Sequence, residues 1–206
     1  MKVLLLNGSP REKGCTYTAL SEVAKTLEEN GVKTELLQLG KGPVQGCTAC
    51  GSCRKTGECI FKDMANELGE KLILADGLVI GSPVYYAGIA GSLKAFLDRL
   101  FYAKSGAFAG KPGAAVVSAR RGGHVTAFDD INRFFSISSM PIVSSQYWNQ
   151  VHGNTPEEVR QDLEGMQTMR TLGRNMAWLL ACMQAGRDAG IAPPRQEERV
   201  RTNFIR

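Results

Sequence analysis

Over most of the chain, short apolar runs alternate with stretches whose apolar positions recur every three or four residues. The runs Lys2–Asn7, Val32–Leu39, Gly77–Gly81, Gly113–Ser118 and Pro141–Ser145 read as five buried strands. Between the first two, Ala19, Leu20, Val23, Ala24 and Leu27 hold one face of a helix, with Thr16 as the expected N-cap and Gly31 just past its end. After the third strand, Leu93, Phe96, Leu97, Leu100 and Phe101 repeat the same helical spacing. Strand and helix in alternation imply right-handed crossovers, so the expected class is α/β with a parallel sheet covered on both faces.

From Thr155 the pattern becomes one long predicted helix carrying Val159, Leu163, Met166, Met169, Met176, Leu179, Leu180 and Met183, whose methionines are expected to pack as core. We expect one domain over residues 1–190, with a cysteine-rich loop at 40–60, and a tail or arm over 191–206 that contains Pro193, Pro194 and several charges.

Composition narrows this picture. Hydrophobic residues at 43% and charged residues at 22% suit an ordinary globular domain and exclude a disordered chain. With 25 basic and 20 acidic side chains the formal charge is +5, but the basic residues are scattered, so no nucleic-acid partner is expected. Asn7 and Gly8 interrupt the N-terminal apolar run before a signal-peptide core of roughly 7–15 residues can form. The next longest apolar stretch, about Ala177–Met183, falls well short of the roughly 18 residues of a membrane span. The expectation is a cytoplasmic protein with no membrane association. Six cysteines are too few for a secreted disulfide scaffold, and in a reducing compartment clustered thiols point to metal or redox chemistry.

In a doubly wound sheet, ligands sit beyond the carboxyl ends of the strands, which singles out three loops. The first, Gly8-Ser9-Pro10-Arg11-Glu12-Lys13-Gly14-Cys15-Thr16, matches neither the dinucleotide nor the Walker fingerprint. It still carries hydroxyls, a guanidinium and glycines at a helix N-terminus, as a phosphate site requires. The second, Gly81-Ser82-Pro83-Val84-Tyr85-Tyr86-Ala87-Gly88-Ile89-Ala90-Gly91, can wall a flat ring. The third, Ser118-Ala119-Arg120-Arg121-Gly122-Gly123-His124, offers cations to a reduced ring, with His124 read as structural. One phosphate-type loop and two ring-type loops describe FMN.

Four cysteines form Cys47-x2-Cys50-x2-Cys53-x5-Cys59 after the second strand. The spacing is close to the tight run of cluster-binding ferredoxins. Structural zinc more often uses two separated knuckles or includes histidine. A [4Fe–4S] cluster is the leading reading, with zinc and unliganded thiols as alternatives.

The combination GSPREKGCT, GSPVYYAGIAGSLKAFLDRL and SARRGGH resembles the flavodoxin-like NAD(P)H-dependent FMN reductase superfamily, and with the cysteine motif it resembles the iron-sulfur flavoprotein branch. The resemblance implies a 2-1-3-4-5 sheet and noncovalent FMN. It assigns the phosphate to Ser9, Arg11, Cys15 and Thr16, the flavin to Pro83, Val84, Tyr85 and Tyr86, and the ring's lining to Ser118, Arg120 and Gly123. It further implies a homodimer or homotetramer (dimer of dimers) with each cluster near an FMN. The expected activity is flavin-dependent oxidoreduction coupled to one-electron transfer through the cluster, to a redox partner protein or small-molecule acceptor, with NAD(P)H as a candidate donor. Two alternatives are an NAD(P)H-dependent FMN or quinone reductase without a cluster, and a flavin-binding redox sensor with a zinc or thiol site. The chemistry needs no covalent nucleophile, and no nucleophile elbow is present.

Overall fold

The computed structural model describes residues 1–195, 197–198, 200, 202 and 204. Strand β1 (Lys2–Asn7) leads through a loop into α1 (Cys15–Glu29) and β2 (Lys33–Gln38). A long connection holding the short helix α2 (Cys53–Thr56) precedes α3 (Met64–Leu74) and β3 (Gly77–Tyr85). Then come β4 (Gly88–Ile89), α4 (Gly91–Phe108), β5 (Gly113–Ala119) and α5 (His124–Ile137). The chain continues with β6 (Gln150–His152), α6 (Pro156–Gln161) and α7 (Leu163–Asp188).

The sheet runs β2-β1-β3-β5-β6, every pair parallel, with β4 folded back antiparallel on the end of β3. Leaving out that hairpin, this is the expected doubly wound five-stranded order. Successive strand residues face opposite sides, so β1 divides its apolar residues: Val3 and Leu5 pack with α1 and α7, while Leu4 and Leu6 pack with α3, α4 and α5. Both faces of the sheet are therefore covered by helices.

Three expectations need correction. The expected fifth strand, Pro141–Ser145, makes only one isolated bridge, Ile142 to Gly113, and the edge strand proper is Gln150–His152 beside Val117–Ala119. Between those two pairings the edge advances eight residues while β5 advances four, so four extra residues loop out, with Tyr147 and Trp148 exposed. Helix α1 starts at Cys15 with Gly14 as N-cap, not at Thr16, whose hydroxyl is engaged with β5 instead.

The expected single helix from Thr155 is two helices. Asp162 breaks it with ψ at 79°, and its carboxylate accepts from the N–H of Gly165 at 2.9 Å and of His152 at 2.6 Å. The methionine stripe is core, since Met166, Met169 and Met176 are buried, whereas Leu163 is exposed. Of the expected arm over 191–206, the described residues carry neither helix nor strand, and the rest lie outside the described residues. Among the described residues no helix is long and apolar enough to cross a membrane.

Candidate functional site

The first loop takes its shape from buried Asn7 at the end of β1. Its Nδ2 donates to Gln38 Oε1 on β2 at 2.6 Å and to the Glu12 carbonyl at 3.1 Å, while its Oδ1 accepts from the Ser9 N–H. Gln38 Nε2 in turn donates to the Ser9 carbonyl, and the Arg11 N–H donates to Ser9 Oγ. Gly8 is obligatory: a Cβ there would lie 2.9 Å from the Gly81 carbonyl oxygen and collide with Leu93.

The loop ends at the N-terminus of α1, which no side chain caps and whose first turn holds no acid. Its first N–H groups have no intrahelical acceptor, so they present partial positive charge to an anion. Thr16 Oγ1 and Ser118 Oγ, both buried, are 2.8 Å apart and tie α1 to the end of β5. The Cys15 thiol donates to the Gly153 carbonyl, and its burial raises its pKa, so it packs as a neutral side chain.

The second loop is largely strand. Its residues through Tyr85 continue β3, and the chain reverses at Tyr86 and Ala87, with φ of 49° and 60°. Two positive φ values make a tight primed hairpin turn without glycine, at a cost of about 1–2 kcal/mol for each residue. Ser82 Oγ accepts the Ala90 N–H at 3.0 Å and fixes the return.

Nine of the eleven flavin-site residues named from sequence, namely Ser9, Arg11, Cys15, Thr16, Pro83, Val84, Tyr85, Ser118 and Arg120, surround one groove of about 220 Å³. The other two stand apart from it. Tyr86 is fully exposed at the hairpin tip, and Gly123 packs under the hairpin, where a Cβ would lie 2.8 Å from Ala87 Cα and 2.9 Å from Val84 Cγ1. Sequence reasoning missed Ala119, and missed Gly153 and Asn154 after β6, because that strand was expected elsewhere. Arg11, Cys15 and Asn154 also line an adjoining depression of about 380 Å³ that includes Lys13 and Lys41. An unpaired helix N-terminus, two buried hydroxyls and an exposed arginine on one groove fit the phosphate of FMN, and the proline and hairpin strands fit its ring.

The four cysteines line a second cavity of about 460 Å³. The loop bends there through positive φ at Ala49, Gly51 and Gly57, and the Gly57 N–H closes α2 onto the Cys53 carbonyl. Asn66 on α3 grips Cys59 at both its N–H and its carbonyl, each at 2.9 Å. Against this cavity lies Arg99 of α4, only 2% exposed. Its Nη2 pairs with Asp63 at 2.5 Å, its Nη1 points to Cys59 Sγ at 3.7 Å, and its Cζ sits 5.3 Å from the Phe61 ring centre. Burial opposes its charge, but Asp63 and Cys59 outweigh burial and hold the guanidinium protonated.

Among the described residues no three Cys, His, Asp or Glu side chains converge on a metal-binding geometry. None of the six cysteines is in a disulfide. Four free thiols around one cavity, with a buried cation whose Nε has no partner among the described residues, are a donor set and a charge environment that fit an anionic thiolate cluster.

Residues 1–155 match the family described as NADPH-dependent FMN reductase. The chain is 34% identical over 185 residues to an iron-sulfur flavoprotein of Methanocaldococcus jannaschii, covering 86% of this chain and 96% of that one. It is 30% identical over 192 residues to an iron-sulfur flavoprotein of Methanosarcina thermophila, covering 91% and 100%. The structure of a flavodoxin from the domain Archaea superposes with a TM-score of 0.60 at 16% identity, covering 88% of this chain and 99% of that chain.

Proposed function

The chain belongs to the NADPH-dependent FMN reductase family, in its iron-sulfur flavoprotein branch, and from that premise we propose that its flavin-dependent oxidoreduction is coupled to one-electron transfer through a [4Fe–4S] cluster on Cys47, Cys50, Cys53 and Cys59. The observation that carries this reading is the second cavity: all four thiols line it, together with a buried arginine. Bound FMN supplies the conversion between two-electron and one-electron transfer, and a bound cluster supplies passage of single electrons.

The residues divide the work by location. The N–H groups at the start of α1, with Arg11, hold the phosphate, and the Thr16–Ser118 pair keeps that loop docked on β5. The strand edge Pro83–Tyr85 walls the ring and the Ser82 bond holds that wall in place. Arg120 lies on the same groove and places positive charge where a reduced ring is anionic. The donor in this reading is NAD(P)H, and the acceptor is a redox partner protein or a small molecule. The reading also includes a homodimer or homotetramer with each cluster near an FMN.

Anaerobic purification followed by visible spectroscopy, with iron, acid-labile sulfide and zinc analysis, tests the proposal. Flavin bands accompanied by iron and sulfide are expected. Flavin without iron or sulfide after reconstitution overturns it and leaves an NAD(P)H-dependent FMN or quinone reductase, while stoichiometric zinc favours the redox-sensor reading.

A further inference from the structure

Arg99 is out of place for an amphipathic helix. It sits among Phe96, Leu97 and Leu100 on the buried face of α4, at a position where a charge is tolerated only when paired. One carboxylate does not account for it. Asp63 takes Nη2, and Asp63 is itself 43% exposed at its side chain, so much of its charge is turned toward water. The other nitrogens are turned inward. Nη1 is directed at the Cys59 sulfur, and Nε is buried with no partner among the described residues. A buried guanidinium donor left unpaired is costly, and the space Arg99 borders is the cavity lined by the four cysteines.

We propose that Arg99 is a positioning residue for that cavity: it anchors Cys59 and supplies the cation that neutralises a thiolate-bound cluster and sets its reduction potential. This rests on the cluster reading above. A cluster held by four thiolates is anionic and becomes more so when it gains one electron, so a fixed positive charge beside it stabilises the reduced form more than the oxidised form. Hydrogen bonds to sulfur and net local charge are the protein's levers on cluster potential, and Arg99 supplies both at Cys59. The fork of the guanidinium suits the task, because it joins Asp63 and the sulfur in one rigid plane that an ammonium cannot copy.

The surrounding elements hold this fork in place. Asp63 caps α3 by accepting from the Ala65 N–H, Asn66 one turn on grips Cys59, and Phe61 stacks near Arg99. Helix α4 starts at Gly91, immediately after the hairpin that walls the flavin groove, and Arg99 lies eight residues along it. At 1.5 Å per residue that is about 12 Å. One rigid helix therefore links the hairpin to the cysteine cavity.

The test uses anaerobically reconstituted full-length protein carrying FMN, titrated with dithionite while the cluster is followed by electron paramagnetic resonance and the flavin by absorbance. Arg99→Gln is expected to move the cluster potential to a more negative value and to lose iron to a chelator several-fold faster. Arg99→Lys should restore most of the potential but not the retention. Asp63→Asn keeps an Oδ1 acceptor for the α3 cap, removes the opposing charge, and should move the potential the other way. The flavin potential should stay where it is in all three variants.

An unchanged cluster potential in Arg99→Gln, or a flavin potential that moves in step with the cluster, overturns the assignment. If Arg99→Gln does not accumulate as folded protein, Asp63→Asn decides, and no positive shift there overturns it. A wild-type protein that takes up no iron and sulfide overturns the cluster reading itself, and so separates the two failures.

Discussion

Arg11 and Cys53 line different cavities, so they should separate cleanly in a binding experiment. If Arg11 holds the phosphate as proposed, Arg11→Ala should remove a charged contact worth about 1–2 kcal/mol, roughly a tenfold weakening of FMN binding. Cys53→Ser should leave FMN affinity close to wild type. Equal loss of flavin in a fluorescence titration would show that the groove has been misassigned.

His124 makes a second test at this scale. It is buried, its Nε2 lies 3.3 Å from the Val151 carbonyl, and its ring centre is 4.4 Å from that of His152. Burial, with the adjacent His152, lowers its pKa from 6.5, against smaller opposing effects of the Val151 carbonyl and Asp162. The sign follows directly: as pH falls through about 6.5 the unfolded chain takes up a proton that the folded one resists, so stability is lost on acidification toward the folded pKa. His124→Asn should flatten the fall in the urea midpoint between about pH 7.5 and 5.5. Parallel curves for the two proteins would mean that His124 contributes nothing to that fall.

At the scale of elements, the hairpin after β3 is the most constrained piece of the flavin groove. Tyr86 and Ala87 stand in the left-handed region, and Gly123, with φ at 88°, fits beneath them. Gly123→Ala meets both a strained backbone and a collision with Ala87 Cα, which is backbone and cannot yield cheaply. The expected cost is about 1–2 kcal/mol of stability. Weaker FMN binding should accompany it, because the displaced hairpin carries Val84 and Tyr85. A variant with wild-type thermal stability and flavin affinity would show that the hairpin does not need this glycine.

The same scale explains which elements were legible beforehand. Strands β1, β3 and β5 and helix α1 carry unbroken periodicity because each buries a whole face, while edge strand β2 is only partly buried and α4 keeps its apolar stripe with the charge of Arg99 set into it. The edge strand lies beyond Pro141–Ser145 because that run carries the local apolar signal, whereas the pairing of Gln150–His152 with β5 depends on the four extra residues looped out between them. Asp162 does carry a local cue, since its carboxylate caps the Gly165 N–H three residues on, whereas its bond to the His152 N–H is supplied by the fold.

For the whole molecule, the groove draws on the ends of β1, β3, β5 and β6 and on the start of α1, so a ligand that bridges them should stabilise the domain as a unit. At a hundredfold excess over its dissociation constant, FMN should add about 2.7 kcal/mol, seen as a rise in Tm. Riboflavin, which lacks the phosphate, should add less if the N-terminus of α1 is the anchor. Equal shifts by the two flavins would argue against a phosphate site there.

The sequence by itself determined the alternation of strands and helices, the three loops that could serve a flavin, and the compact spacing of four cysteines. All of these depend on residues close together in the chain, where periodicity and turn chemistry operate. Only the tertiary structure brought Ser9, Arg11, Cys15 and Thr16 onto one groove with residues 83–85, 118–120 and 153–154, placed Gly123 beneath the hairpin, and set Arg99 against Cys59 forty positions away. Such meetings are decided by strand order and by which helix covers which face, and no short window of sequence contains either.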